Sequence, residues 1–347
     1  MLKKGKIPVF VGITILAAVV VCTTCNYQDL FSPSATVEMG SDILSCNPGD
    51  PISINVTVNS IPINSADIVW KSSNPKIVEV KSDGSIRANT AGLVGSAEIS
   101  ASIAGFTGTC TVNVDPFGVA GTDLVKAIVQ YYQRTEVVPP VLLPLRGDLT
   151  SYWVNLLNDL AYAAGTDDKL VILDLSECEY SGTSFSGSQN EAGDAKVMAL
   201  ILPRTFEGTI KDFSCDAEQK FTNLTEVSGE SAKYIGNDTF FKCSNLTSVY
   251  FPEVTSIGSK AFAECTKLKN VSFPKEKVFI NPEAFWGCTN LTTITIGAKC
   301  SIADTAFDIK NEVPGSDFGT YYSSLSEGQQ VGTHVWSSST LSLSRMP

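Results

Sequence analysis

The chain of 347 residues carries 25 Lys and Arg against 36 Asp and Glu, a formal net charge of −11 at pH 7. An acidic chain lacks the basic face that nucleic-acid phosphates require, so we expect no nucleic-acid partner. The same charge disfavours electrostatic binding to an anionic membrane surface. A hydrophobic fraction of 43% is typical of a folded chain, and the length allows two or three domains.

Residues 1–24 predict a secretory signal peptide. Lys3, Lys4 and Lys6 precede an apolar run over residues 7–21, and small residues follow it. The run of about 15 residues is shorter than the ~20 that a membrane-spanning helix needs, so cleavage is favoured over a membrane anchor. Removing these three positive charges would bring the net charge from −11 to −14.

Two cysteines follow the apolar run, where a bacterial lipoprotein is acylated. Val21 before Cys22 is bulky, and Thr24 precedes Cys25, so neither context is ideal. We favour lipid attachment at Cys25, because polar residues separate it from the apolar run, with Cys22 as the alternative. This lipid would be the chain's one contact with a membrane, and residues 25–35 would form a polar tether behind it.

Residues 36–116 predict a small β-sandwich. Apolar and polar residues alternate over residues 52–58, 97–103 and 110–114, and turn signals such as Asn47–Asp50 break these runs. Several short alternating strands within some 80 residues are typical of that architecture.

The same segment resembles the group 2 bacterial Ig-like domains. The resemblance rests on Trp70–Pro75 with the sequence Trp-Lys-Ser-Ser-Asn-Pro, on Asp83-Gly84, and on the closing Cys-Thr-Val-Asn-Val of Cys110–Val114. It implies a spacer or adhesion module. We interpret Trp70 as a core residue, and a sugar-stacking role for it is the weaker alternative.

Residues 117–169 predict a helical cap or linker. Pro139, Pro140 and Pro144 require an extended segment over residues 137–145. Two capped helices flank it, one with Thr122, Val125, Ile128, Val129 and Tyr132, the other with Ser151, Trp153, Leu156, Leu157 and Leu160. We expect these helices to cover the first end of the repeats that follow, and a partner-binding helix pair is the alternative.

A repeat of 22 and 23 residues organises residues 239–302. The repeat is carried by Cys243, Cys265 and Cys288 and by Leu246, Leu268 and Leu291. Related segments start near residues 170, 197, 224, 246, 268 and 291, which predicts six stacked coils with one parallel sheet. Stacking lets coils bury apolar sides that none buries alone, and one buried ladder would comprise Phe240, Phe262, Phe285 and Phe307.

The repeat pattern resembles the BspA-like leucine-rich repeats of bacterial surface proteins. One coil carries the full pattern, in Ala261, Phe262, Cys265, Leu268, Val271, Phe273 and Pro274. The resemblance spans residues 170–308 and implies a curved solenoid that serves adhesion or ligand binding without catalysis. It does not specify a ligand.

Alternation along each repeat strand turns a second set of side chains outward. We predict that these outward positions form the ligand-binding surface, and the alternative is that they are merely solvated. The positions are Glu226, Ser228, Ser248, Tyr250, Asn270, Ser272, Thr293 and Thr295.

The repeats have an irregular beginning and a distinct end. The Ser- and Gly-rich stretch of residues 181–193 predicts a loop between the first two coils. Residues 309–347 predict a C-terminal cap, with a last strand or hairpin that closes the array.

The cysteines first suggest disulfides in an exported chain. Cys243, Cys265 and Cys288 instead share one inward column, so we expect free, buried thiols there. Cys46 and Cys110 are predicted either to pair or to stay separate in the core.

No catalytic, metal-ligating or cofactor-binding pattern is present in the sequence. His334 is the one histidine, and the body of the chain has no Cys-x-x-Cys pair. No phosphate-binding loop of the Gly-x-x-x-x-Gly-Lys type occurs. We therefore expect no enzyme, no metal and no cofactor.

These observations predict a mixed, mainly β chain, with an Ig-like β-sandwich, a helical N-terminal cap and a leucine-rich-repeat solenoid. The expected function is adhesion or the binding of protein or glycan ligands by an exported, lipid-anchored protein of the bacterial cell surface or outer membrane. One alternative is a periplasmic protein that links envelope components. Another is a carbohydrate-capture protein that feeds a transporter, which would need outward aromatic residues, and Tyr250 alone qualifies on the predicted rows.

Overall fold

The computed structural model describes residues 37–39, 41–54, 56–58, 68–81, 85–118, 140–164, 169–187, 195–215, 221–307, 322–325, 330, 332–337 and 342–345. The chain divides into two compact units, Met1–Pro116 and Phe117–Pro347.

Several predictions fall on residues outside these ranges. They are the signal peptide, the candidate lipidation sites Cys22 and Cys25, the tether and the first predicted helix with Thr122, Val125, Ile128, Val129 and Tyr132. Within the described ranges, no helix is both long enough and apolar enough to span a bilayer.

The N-terminal unit consists of short strands in three sheets. The strands are β1 (Val37–Met39), β2 (Ile43–Cys46), β3 (Pro51–Ile52), β4 (Val56–Val58), β5 (Val69–Ser72), β6 (Val78–Val80), β7 (Ile86–Ala88), β8 (Gly95–Ile103) and β9 (Phe106–Val114). The sheets have the orders β1-β4, β2-β9-β8-β5 and β3-β7-β6.

The β8–β9 hairpin forms the longest part of this unit. Ala104 and Gly105 join its strands with φ of 47° and 90°, as a two-residue type I′ turn requires. Alternate residues of both strands lie in one apolar core, and Trp70 packs against that core as predicted. The Trp70 Nε1 is buried and has no hydrogen-bond partner in the described part of the chain. The Ig-like assignment of this unit stays a prediction.

Cys46 and Cys110 are separate free thiols, the second of the two predicted alternatives. Cys46 pairs with Val114 across β2 and β9. Cys110 lies four residues before Val114, about 13 Å away along the strand. A disulfide needs Cα atoms within about 7 Å, so this register keeps the two thiols apart.

The C-terminal unit contains the helix α1 (Trp153–Ala164), short helical segments at residues 322–324 and 330, and a long series of strands. The strands are β10 (Phe117–Gly118), β11 (Val141–Asp148), β12 (Val171–Glu179), β13 (Ser184–Ser186), β14 (Val197–Ile201), β15 (Thr209–Lys211), β16 (Glu226–Ser228), β17 (Tyr234–Ile235), β18 (Ser248–Tyr250), β19 (Ser256–Ile257), β20 (Asn270–Phe273), β21 (Phe279–Ile280), β22 (Thr293–Ile296), β23 (Ser301–Ile302), β24 (Gly332–Ser337) and β25 (Ser342–Arg345).

Two sheets run along this unit. The main sheet has the order β10-β11-β12-β14-β16-β18-β20-β22-β24-β25, and the second sheet has the order β13-β15-β17-β19-β21-β23. All neighbours pair in parallel until β24, which is antiparallel to β22. Six main-sheet strands, β12 to β22, match the predicted coil starts. The predicted parallel solenoid is therefore confirmed.

Two predictions about the first coils are wrong. Ser184–Ser186, within the predicted loop of residues 181–193, is the first strand of the second sheet. The predicted linker contributes β10 and β11 to the main sheet, so the sheet begins before residue 170. A proline inside a strand is tolerated at a β-bulge, and the register shifts between Pro144 and Arg146.

Helix α1 forms where the second predicted helix was expected. Its predicted apolar face is buried, and the residues are Trp153, Leu156, Leu157 and Leu160. These side chains belong to the same core cluster as the solenoid strands. The Trp153 Nε1 donates a hydrogen bond of 2.7 Å to the carbonyl oxygen of Ser186. Whether α1 acts as a cap stays a prediction.

A stack of phenylalanine rings runs through the solenoid core. The predicted ladder of Phe240, Phe262, Phe285 and Phe307 is confirmed, with centroid separations of 5.2, 5.1 and 4.6 Å between neighbours. Phe213 and Phe185 extend the stack, at 5.7 and 6.2 Å. Each coil contributes one ring, so adjacent coils are joined along the axis by aromatic contacts.

The Ile-Gly pair of the repeat marks a close approach between coils. Ile257 is buried in the core. A Cβ added to Gly258 would lie 2.5 Å from the backbone nitrogen of Asn237 in the preceding coil. Only glycine fits there without moving the backbone, which explains why this residue follows the inward isoleucine.

Cys243 is not a free thiol, which corrects one cysteine prediction. It forms a disulfide with Cys215, and the two Cα atoms are 4.9 Å apart. The repeat register places Phe221, not Cys215, at the matching position of the preceding coil. Cys215 reaches Cys243 from the longer connection, where its backbone N–H donates to the carbonyl oxygen of Phe241 at 2.8 Å.

Cys265 and Cys288 are free and fully buried, as predicted. Each thiol donates to a phenylalanine carbonyl oxygen of the preceding coil, Phe240 and Phe262 respectively, at 3.1 Å. Burial raises the pKa of the Cys288 thiol to about 12 and that of Cys265 well above its ordinary value.

We expect iodoacetamide at pH 8 to leave Cys265 and Cys288 unmodified in the native protein, since thiolate is the reactive form and both sulfurs are enclosed. Cys300 is only partly buried and should be labelled faster. Peptide mass spectrometry after timed labelling measures each site, with urea-unfolded protein as the control. Equal labelling of all three thiols in the native protein would show that the cysteine column opens to solvent.

A hairpin closes the far end of the main sheet, as predicted. β24 pairs antiparallel with β22, and β25 pairs antiparallel with β24. Tyr322 is buried against the last coil, where its hydroxyl donates to the carbonyl oxygen of Gly297 and accepts from the backbone N–H of Cys300.

Candidate binding surface on the main sheet

The eight predicted ligand-binding residues lie in two straight rows on the main sheet. Strand register makes consecutive members direct neighbours in both rows. The first row is Glu226, Ser248, Asn270 and Thr293, and the second row is Ser228, Tyr250, Ser272 and Thr295.

The two rows face away from the core because of strand alternation. Between them lies a buried column, formed by Val227, Val249, Val271 and Ile294. Neighbouring strands are about 4.8 Å apart and the rows about 7 Å apart, so each row is about 14 Å long. In-register pairing of the backbone fixes these positions relative to one another.

The rows offer polar groups around one aromatic ring. Tyr250 is 49% exposed. Glu226 and Asn270 are also exposed, and the other five residues are half-buried. The surface therefore presents one carboxylate, one amide, several hydroxyls and one ring, a set that can make several hydrogen bonds and one apolar contact.

The first row and its neighbour Ile201 become apolar towards the first coils, which the sequence interpretation missed. Ala199 and Ile201 are the register neighbours of Glu226 and Ser228. The first row continues through Ile172 and Leu142, and the second row continues through Asp174 and Pro144. We call this part the apolar extension, and it consists of Leu142, Ile172, Ala199 and Ile201. Its members are half-buried or buried. The first row thus continues into an apolar strip, whereas the second row reaches Asp174 beyond Ile201.

Charged side chains beside the sheet are engaged with one another. Arg204 lies 2.7 Å from the Glu177 carboxylate and 3.7 Å from that of Glu230. Glu253 binds both Lys275 and Lys233, and these two hydrogen bonds lower the pKa of its carboxyl group. These six charged side chains are thus paired with one another.

The second sheet carries an outward row that sequence reasoning also missed. We call it the second-sheet row, and register joins its members Ser184, Thr209, Tyr234, Ser256, Phe279 and Ser301. Tyr234 is 49% exposed and Phe279 is 59% exposed. Each precedes a buried isoleucine of the repeat by one residue, so alternation along the strand could have identified both.

The described ranges contain no group of three His, Cys, Asp or Glu side chains suited to a metal ion. His334 lies on β24 opposite Ile294. The expectations of no metal, no cofactor and no catalysis stay predictions.

Residues 208–313 match the family model of the BspA type leucine rich repeat region, in six copies. The match confirms the resemblance over these residues and does not include the N-terminal unit. No curated protein matches the chain. Repeats of this type indicate a protein-binding or adhesion role.

Proposed function

We propose that this chain is an exported, lipid-anchored adhesion protein whose main-sheet rows hold a partner protein at the bacterial cell surface. The observation that carries the proposal is the in-register arrangement of eight outward side chains beside an apolar strip. The protein acts by binding and has no catalytic role.

The composition of this face suits a protein partner. From β11 to β22 the face crosses six strand steps, about 29 Å. Protein interfaces combine an apolar core with a polar rim, and here the apolar extension adjoins polar rows that contain an exposed tyrosine.

The energy of binding would come from many modest contacts. A rigid sheet loses little conformational freedom when a partner docks, which lowers the cost of association. Tyrosine is enriched among residues that dominate interface energies, so Tyr250 is the expected centre of the patch. In this proposal the N-terminal unit is an Ig-like spacer that holds the solenoid away from the membrane.

We expect the double variant Tyr250→Ala/Asn270→Ala to weaken partner binding about a hundredfold, since two central contacts cost about 1–2 kcal/mol each. A partner captured on wild-type protein and then purified would be titrated by surface plasmon resonance. The matched control is Tyr234→Ala, which removes an equally exposed tyrosine from the other sheet.

A folded Tyr250→Ala/Asn270→Ala protein that binds the purified partner like the wild type would reject the main-sheet patch. Circular dichroism of both variants establishes that each remains folded. If Tyr234→Ala alone lost binding of the purified partner, the protein-binding site would lie on the second sheet.

A further inference from the structure

The second sheet presents two exposed aromatic rings that the main-sheet proposal does not use. Phe279 is the most exposed large apolar side chain in the described part of the solenoid, and Tyr234 equals Tyr250 in exposure. Neither ring takes part in the phenylalanine stack of the core. Covering an exposed aromatic ring removes apolar surface from water, which is favourable. A ligand that covers these rings therefore gains binding free energy.

The two rings occupy the same position in two coils separated by one coil. Tyr234 pairs with Ser256, and Ser256 pairs with Phe279. Two strand steps set the backbone positions of the rings about 10 Å apart. The small Ser256 side chain between them leaves the space above that strand open.

The second-sheet row carries no charge. Apart from the two rings it consists of hydroxyl side chains, which are Ser184, Thr209, Ser256 and Ser301. Lys233, which directly precedes the Tyr234 strand, is bound to Glu253 at 3.2 Å. Because the row itself contains no charged side chain, we infer a neutral ligand with flat apolar faces and groups that bond to hydroxyls.

We propose that the second-sheet row binds a neutral, β-linked polysaccharide that lies along the solenoid axis. Tyr234 and Phe279 stack on two sugar rings of the chain, and the serine and threonine hydroxyls bond to sugar hydroxyls. In an extended β-1,4-linked pyranose chain, alternate rings present the same face, and their repeat is comparable to the spacing of these two side chains.

Other occupants fit this row less well. A peptide strand needs a free sheet edge, but β17 pairs with β15 and β19, and β21 pairs with β19 and β23. A globular protein needs a continuous apolar centre, whereas here a serine separates two single rings. A polysaccharide needs only the rings and the hydroxyls.

The proposal is independent of the protein-binding function of the main sheet. Isothermal titration calorimetry of the full chain would use cellohexaose, xylohexaose and mannohexaose as linear β-linked probes, and maltohexaose as a curved α-linked control. We expect at least one β-linked probe to bind and maltohexaose not to bind. Tyr234→Ala and Phe279→Ala should each weaken that binding about tenfold, whereas Tyr250→Ala should not change it.

The spacing of the rings is tested by moving one of them. The variant Phe279→Ala/Ser301→Phe keeps two aromatic residues in the row but sets them three strand steps apart, about 14 Å. We expect it to bind as weakly as Phe279→Ala. The proposal is overturned if no β-linked probe binds, if maltohexaose binds equally, if Tyr234→Ala/Phe279→Ala binds like the wild type, or if the moved ring restores affinity.

Discussion

The variant Phe262→Ala is expected to lower the free energy of unfolding of the solenoid by about 3–5 kcal/mol. Phe262 is fully buried, and its ring stacks on Phe240 and Phe285 at 5.2 and 5.1 Å. Truncation removes the apolar surface of the ring and leaves a cavity between coils that each contact only their neighbours. Urea unfolding monitored by hydrogen exchange of peptides from the repeats measures the loss of unfolding free energy.

The control for this variant is Phe279→Ala in the adjacent coil. Phe279 is 59% exposed, so its truncation should change the unfolding free energy by no more than about 0.5 kcal/mol. If both variants lost the same amount, the stacked rings would not be the main link between coils.

Reduction of the Cys215–Cys243 disulfide is expected to cost about 3.5 kcal/mol of unfolding free energy, for a sequence separation of 28 residues. A cross-link lowers the conformational entropy of the unfolded chain. Reduction restores that entropy and so stabilises the unfolded state. The reduced Cys243 thiol would find an acceptor in the carbonyl oxygen of Phe213, 3.3 Å from its sulfur. Urea unfolding with and without dithiothreitol therefore reports mainly on the cross-link.

The variant Cys215→Ser provides the matched control, because dithiothreitol should have no further effect on its stability. Alkylation of unfolded, non-reduced wild-type protein followed by intact mass tests the bond itself. Labelling of Cys215 and Cys243 under these conditions would contradict the disulfide.

The regular half of the solenoid could be predicted from its sequence because the same residue types recur in every coil. Phe240, Phe262 and Phe285 fixed the inward column, and alternation fixed the two outward rows. For this column and these rows, the structure adds only which residues are direct neighbours across strands, since a constant period leaves one consistent register.

The irregular half could not be predicted in the same way. Pro144 predicted an extended segment, which β11 confirms from residue 141, but it gave no sign that this segment joins the main sheet, where a register shift accommodates the proline. Cys215 lies outside the repeat period, so its proximity to Cys243 depends on the path of a long connection. The strand at Ser184–Ser186 has only three residues and lies in a Ser- and Gly-rich stretch, where local sequence favours a loop.

The candidate binding surfaces also differ in how far the sequence predicts them, depending on whether they lie in the regular or the irregular coils. The main-sheet rows were predicted residue by residue, whereas the apolar extension depends on pairing among the irregular first strands. Tyr234 and Phe279 each precede an inward isoleucine of the repeat by one residue, so their outward position was predictable, although strands of two residues give a weak signal.

The proposed function requires the solenoid to be presented outside the cell, and proteinase K treatment of intact cells tests this requirement most directly. An antibody against the repeats would follow the solenoid, with a periplasmic protein as the internal control. We expect the solenoid signal to disappear while the periplasmic control survives. Full protection of the solenoid, with digestion only after lysis, would contradict surface adhesion and favour a periplasmic structural role.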